Sequence, residues 1–246
     1  SFLTPYLHHT ILSIKIMLSF QQNEEIMNDK LIAQSDLFRG ISPEEAAAML
    51  HCLQAVERRY PKGALICRQG EAVPAAGLLL SGEVHIVQDD LWGNQSIFSR
   101  IGPGELFSEA YAAVPGAVSL VNAVAAQESS VLLLSVSRIL HTCPSACAFH
   151  AQLIRNLLAC VAQKNLRLAQ KITHTAPKTI RGRVLSYLSA ESIRRGKRSF
   201  QIPFSRQQLA DYLCVERSAL SAELGKMQRD GLIEFRKNAF SLKTQE

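Results

Sequence analysis

The chain has 246 residues, 47% hydrophobic and 20% charged, with a formal net charge of +6. That length can bury a sizeable core and suits two domains, and the composition excludes a disordered chain. Residues 177–246 hold 14 Lys and Arg against 7 Asp and Glu, while everything before them sums to −1, so the C-terminal end is expected to meet a polyanion, unless the basic surface only serves solubility.

In chain order, the first stretch is "FLTPYLHHTILSIKIMLSF", apolar and nearly long enough to span a bilayer. Pro5, His8, His9 and Lys15 make it a poor spanning helix, and it lacks both the basic start and the small-residue cleavage site of a signal peptide. Met27 opens a natural beginning. Residues 1–26 are therefore expected to be an extension or start-codon artefact, with a membrane anchor as the alternative. No membrane partner is expected for the rest.

"SPEEAAAML" reads as a helix start, with Ser42 as N-cap, Pro43 at the first helical position and acids in the first turn. From Val56 to Ser137 the pattern changes to short apolar or alternating runs between glycines. Short strands at such spacing predict an antiparallel sandwich or barrel, with Gly93-Asn94 as a hairpin tip.

A long helix is predicted from Pro144 to Ile172. Ile154, Leu158, Val161, Asn165, Leu168 and Ile172 are spaced 4, 3, 4, 3 and 4 apart, a heptad seam. A single Asn at an a-type position fixes register and favours a parallel two-stranded pairing, so this seam is expected to form a homodimer. The alternative is a helix buried on two sides within one monomer. A second stripe, Phe149, Leu153, Leu157 and Cys160, is expected to face the chain's own body.

"THTAPKT" breaks the helix at Pro177 as a hinge, and Ile180, Val184, Leu185 and Leu188 mark another helix. A short strand follows, then a helix capped by Ser205, a turn at Cys214-Val215-Glu216, a second helix beginning at Arg217, and a hairpin in "GLIEFRKNAFSL". Leu220, Leu224 and Met227 form the buried stripe of the second helix. Arg217, Ser218, Ser221 and Ala222 then share its outer face. A helix entering the DNA major groove needs such a face: small side chains admit the axis, and Arg reaches both acceptors of a guanine. The serines reach base edges or phosphate, and the helix N-terminus attracts phosphate. Arg206, Lys226 and Lys237 are expected to neutralise phosphates.

The stretch "FSRQQLADYLCVERSALSAELGKMQRDGLIEF" resembles the winged helix-turn-helix of the Crp/Fnr family of bacterial transcription regulators. "RRYPKGALICRQGEAVPAAGLLLSGEVHIV" and "GPGELFSEAYAAV" resemble that family's sensor domain. The likeness covers most of residues 28–246. It implies an α+β chain: an effector-sensing, cyclic-nucleotide-binding-like β-roll at 28–143, a dimerisation helix at 144–173 and a DNA-binding domain at 177–246. It further implies a cytoplasmic homodimer on a double-stranded operator, with RNA polymerase as a further partner if the output is activation. Family members often carry glycine where this chain has Cys214, Glu where it has Ser218, and Arg where it has Ala222. The operator therefore cannot be copied from those members. If the site of Cys214 requires a positive φ, it is strained by about 1 kcal/mol.

The resemblance also places an effector pocket at Ser108, Glu109, Ser119 and Leu120. In the cAMP receptors of the family an arginine near the last two pairs with the cyclic phosphate. Here no arginine lies between Arg100 and Arg138, and a buried phosphate without a cation is costly. The expected effector is therefore an unidentified small molecule other than cAMP, with no fixed cofactor. The family's iron–sulfur arrangement is excluded, because residues 28–51 hold no cysteine. Cys143, Cys147 and His150, at i, i+4 and i+7, are the candidates for metal, haem or redox sensing; ordinary core packing is the alternative. The six cysteines are scattered, unlike a secreted disulfide framework, and fit reduced thiols in a cytosol. No nucleophile–base set or phosphate-cradling loop suggests an enzyme. A sensor module with a different output is disfavoured by the helix-turn-helix.

Overall fold

The structure, a computed structural model, describes residues 31–32, 34–89, 95–141 and 148–243. The Gly93-Asn94 tip and the candidates Cys143 and Cys147 lie outside the described residues. The chain divides into two compact units, residues 1–162 and 163–246.

The first unit opens on a 3₁₀ turn, Asp36–Phe38, and helix α1, Pro43–Cys52. Ser42 caps α1 in a reciprocal box with Glu45: Glu45 N donates to Ser42 Oγ, and Ser42 N donates to the Glu45 carboxylate at 2.8 Å. Two antiparallel four-stranded sheets follow. One pairs β1 (Val56–Tyr60), β8 (Ser129–Leu134), β3 (Ala76–Ser81) and β6 (Leu106–Phe107) in that order. The other pairs β2 (Leu65–Cys67), β7 (Asn122–Ala125), β4 (Val84–Asp89) and β5 (Gln95–Ile101). Short helices α2 (Glu109–Ala113) and α3 (Val136–Leu140) lie in the connections.

The two-residue period of a strand explains "GLLLS" in β3. Leu79 points into the cluster between the sheets with Val84, Ile101, Phe107 and Val131. Leu78 and Leu80 point the other way, into a cluster with Phe38, Met49, Ile139, Leu153 and Leu157. The central strand is thus covered on both faces and reads as a continuous apolar run rather than an alternating one. The turn leaving β3 needs glycine: Gly82 has φ +93°, and a Cβ there would collide with Ser129 and the Glu128 carbonyl.

Helix α4 spans Ala148–Thr175. Leu153 and Leu157 are buried as expected, while Phe149 is 37% exposed. Buried Asn156 donates to the carbonyls of Leu37 at 2.9 Å and Arg39 at 2.8 Å, tying the 3₁₀ turn to the helix.

The second unit holds α5 (Ile180–Arg195), β9 (Ser199–Gln201), α6 (Arg206–Leu213), α7 (Arg217–Arg229) and the wing strands β10 (Ile233–Arg236) and β11 (Ala239–Leu242). Its sheet has the order β10-β11-β9. Val184 and Leu188 of α5, Leu209 and Leu213 of α6, and Leu220, Leu224 and Met227 of α7 meet in one core. Arg181 bridges Glu223 at 2.6 Å and Asp230 at 2.7 Å, which orients α7 against α5.

Candidate nucleic-acid interface and effector site

The first helix of the pair, α6, is capped by Ser205, whose Oγ accepts from Gln208 N while the Gln208 side chain accepts from Ser205 N at 2.8 Å. It ends on Cys214, which has φ 52° and ψ 51°. The positive φ on which that strain depended is present, so a non-glycine residue there carries about 1 kcal/mol.

Helix α7 begins one residue after Glu216, and Glu216 is its N-cap, a role the sequence reading missed. Its carboxylate accepts from Ala219 N at 2.7 Å and from the Ser218 hydroxyl. These bonds, the Ser218 hydroxyl first, hold the Glu216 carboxyl down at about 2. One amide that the sequence reading offered to phosphate is thus satisfied by the chain itself. Ser221 Oγ donates to the Arg217 carbonyl at 3.0 Å. Both serine hydroxyls therefore spend their protons within the helix and present lone pairs outward.

Arg217, Ser218, Ser221, Ala222 and Lys226 are all exposed, opposite the buried Leu220, Leu224 and Met227. Lys237 is exposed at the tip of the wing, with φ 55°. Arg206 differs from its neighbours. Its guanidinium lies over the rings of Phe235 and Phe240, 5.2 and 5.8 Å from their centres, and donates to the Lys237 carbonyl at 3.0 Å. It is half-buried, and burial lowers its pKa below the usual arginine range. The group expected on phosphate anchors the wing to the start of α6, a job its sequence position did not suggest.

In the sensor unit, Ser108 precedes α2 with φ 60° and ψ 7°, the conformation glycine would favour. Its hydroxyl lies 3.6 Å from the Cys67 thiol, and burial pushes that thiol's pKa up. Cys67 was not among the expected pocket residues. Glu109 is buried at the start of α2. Ser119 is buried too, but its hydroxyl donates to the Val121 carbonyl at 2.6 Å. Its backbone bonds the loop before it: Gly70 N donates to Ser119 O at 2.7 Å, and Ser119 N to Glu71 O at 2.9 Å. Leu120 is 64% exposed. The structure joins Ser108 to Cys67 and ties Ser119 to the turn after β2.

His150 is buried, with Nε2 2.8 Å from the Ile139 carbonyl and 3.2 Å from that of Arg138. Facing carbonyls, that nitrogen carries the proton and donates, which leaves Nδ1 as the ring's lone pair. Among the described residues no three His, Cys, Asp or Glu side chains form a metal-binding group. Among them, too, no helix is long and apolar enough to cross a membrane.

Two family models match the chain: the cyclic nucleotide-binding domain over residues 57–144 and the Crp-like helix-turn-helix domain over residues 182–244. The cyclic AMP receptor protein of Thermus thermophilus is 37% identical over 100 residues, 41% of this chain and 45% of that protein. The CRP-like cAMP-activated global transcriptional regulator of Mycobacterium tuberculosis is 28% identical over 88 residues, 36% of this chain and 38% of that protein. The chain thus matches less than half the length of these curated relatives. Among solved structures, OCPA-complexed CprK has a TM-score of 0.56 at 15% identity, over 80% of this chain and 91% of that one. The c-di-GMP responsive global regulator CLP of Xanthomonas campestris has a TM-score of 0.50 at 19% identity, over 80% of this chain and 98% of that one. Both show the same fold. With a sensor domain and a Crp-like helix-turn-helix matched in this order, the chain belongs to the Crp/Fnr family of transcription regulators.

Proposed function

We propose that the protein is a cytoplasmic, homodimeric, sequence-specific DNA-binding regulator. In this reading, residues 28–143 sense a small effector other than cAMP, residues 144–173 pair two copies and residues 177–246 bind the operator. The observation that carries the reading is the outer face of α7: Arg217 and Lys226 flank the short Ser218, Ser221 and Ala222, all exposed, on a helix whose opposite face is buried. That face fits a major groove, and the basic surplus of the C-terminal unit supplies the phosphate attraction. Selection from a random duplex pool should enrich a two-fold symmetric site with half-sites about one helical turn apart. Binding to it should weaken steeply as salt rises. A pool that enriches nothing, or binding indifferent to salt, would remove the reading.

The effector reading rests on the absence of arginine between Arg100 and Arg138. The relatives named for cAMP do not transfer their ligand to a site without that cation. The fold does not fix the ligand either, since one similar structure is OCPA-complexed CprK and another is the c-di-GMP responsive regulator CLP. Sub-millimolar cAMP should leave the melting temperature and the DNA affinity unchanged, because a ligand stabilises only what it binds. A clear rise in either would restore cAMP as the effector.

A further inference from the structure

We propose that Arg183 is a positioning residue, whose single guanidinium ties the hinge at Pro177 to the turn at Cys214 and so sets where α7 begins. The proposal rests on the reading of α7 as the DNA-reading helix. Arg183 sits in the first turn of α5 and is half-buried. Its Nε donates to the Pro177 carbonyl at 2.9 Å. Its Nη1 donates to the carbonyls of Leu213 at 3.0 Å and Cys214 at 2.9 Å. These three acceptors are all peptide oxygens. Leu213 is the last residue of α6 and Cys214 its cap, so the cation faces the negative end of that helix, where carbonyls lack intrahelical partners.

The geometry suits arginine alone. A rigid planar fork can hold acceptors on two separate segments at once, whereas an ammonium reaches them only by choosing among rotamers. The hinge side is held close: a Cβ at Gly182 would come within 2.9 Å of Pro177 Cβ, so the residue beside Arg183 leaves Pro177 little space to move. On the turn side, only Val215 and Glu216 separate Cys214 from the first residue of α7. Fixing the Cys214 carbonyl therefore fixes Arg217 to within a short, capped connection. A second bond runs in the same direction. His174 in the last turn of α4 has Nδ1 2.8 Å from the hydroxyl of Tyr212 in α6, and its ring meets Tyr187 edge-on at 5.5 Å. The end of α4, the hinge and the turn of the helix pair are thus linked by directional bonds rather than by packing alone. A displacement at the hinge would then reach the recognition helix through Arg183.

The test compares full-length Arg183→Ala and Arg183→Lys with the unsubstituted protein. Amide hydrogen exchange over residues 214–219 should speed up by at least about tenfold in Arg183→Ala, which loses both charge-assisted bonds to that turn, while residues 184–188 stay protected. Preference for the selected site over random DNA should fall by a similar factor, with an unchanged salt slope. Arg183→Lys should fall between. Unchanged exchange at 214–219 in a folded variant would overturn the proposal. So would an equal loss on all DNA with a shallower salt slope, which would make Arg183 a phosphate contact. If Arg183→Ala melts throughout, Arg183→Lys decides: wild-type exchange and preference in that variant would overturn it. Should the unsubstituted protein prefer no DNA at all, the DNA-reading assignment fails, and the exchange data still decide whether Arg183 holds the turn.

Discussion

Replacing Leu158 and Leu168 with glutamate should turn the protein into monomers and abolish tight operator binding. Both side chains point outward from α4, at 68% and 61% exposure, and Ile172, next along the seam, is 68% exposed. Three large apolar groups in one stripe of an isolated chain call for a partner. Burying each contributes about 1.5–3 kcal/mol, and two-fold symmetry counts every one twice. Asn165 is exposed in the same stripe, where it would set the register of the paired helix. Carboxylates at both positions would lie against carboxylates of the second copy in a desolvated seam. Val161 is the poorer choice, because it packs partly against the core of its own unit, and a charge there would confound association with folding. A monomer holds one half-site only, and losing the second should weaken binding by roughly 10²–10⁴-fold. Sedimentation with operator titration reads both effects. A double variant that stays dimeric, or an unsubstituted protein that sediments as a monomer at micromolar concentration, would contradict the seam.

The elements most legible in the sequence are those governed by local rules. Ser42 and Ser205 announce their helices because each carries Glu or Gln three residues on, and both capping boxes are formed. The heptad spacing of α4 and the buried stripe of α7 follow from helical period alone. Cys214 is legible through its place in the turn. What the sequence conceals depends on chain-distant partners. Asn156 looks like a surface residue of α4 until it meets the carbonyls of Leu37 and Arg39, well over a hundred positions away. The packing of Arg206 over Phe235 and Phe240 is likewise invisible from its place at the start of α6. Glu216 is a different failure. An acid just before a helix signals a cap, but in this chain that signal is merged with the turn Cys214-Val215-Glu216 ahead of Arg217. The effector site was least legible. Ser119 and Leu120 are adjacent, yet one is buried and the other exposed, and only the pairing around them decides which.

Arg217→Ala should cost about 1–3 kcal/mol on the specific operator and relax the preference at one position of each half-site, because a bidentate guanine contact is lost. Lys226→Ala, on the same helix, should lose a similar amount on every sequence and give a shallower salt slope, since a phosphate contact carries no base information. Both residues are exposed, and neither belongs to the buried cluster of the unit, so the melting temperature should stay near that of the unsubstituted protein. The two variants are best compared on the selected operator, its single-base changes and random DNA, each at several salt concentrations. The serines sharpen the expectation. With their protons donated to Glu216 and to the Arg217 carbonyl, Ser218 and Ser221 offer acceptors to the groove. They therefore suit the amino groups of cytosine or adenine rather than a second guanine edge. Loss of Arg217 should thus remove discrimination at a guanine and leave it intact at a neighbouring amino-bearing base. If Arg217→Ala instead lost affinity equally on all DNA, Arg217 would be a phosphate contact, and base reading would pass to Ser218, Ser221 or the wing around Lys237.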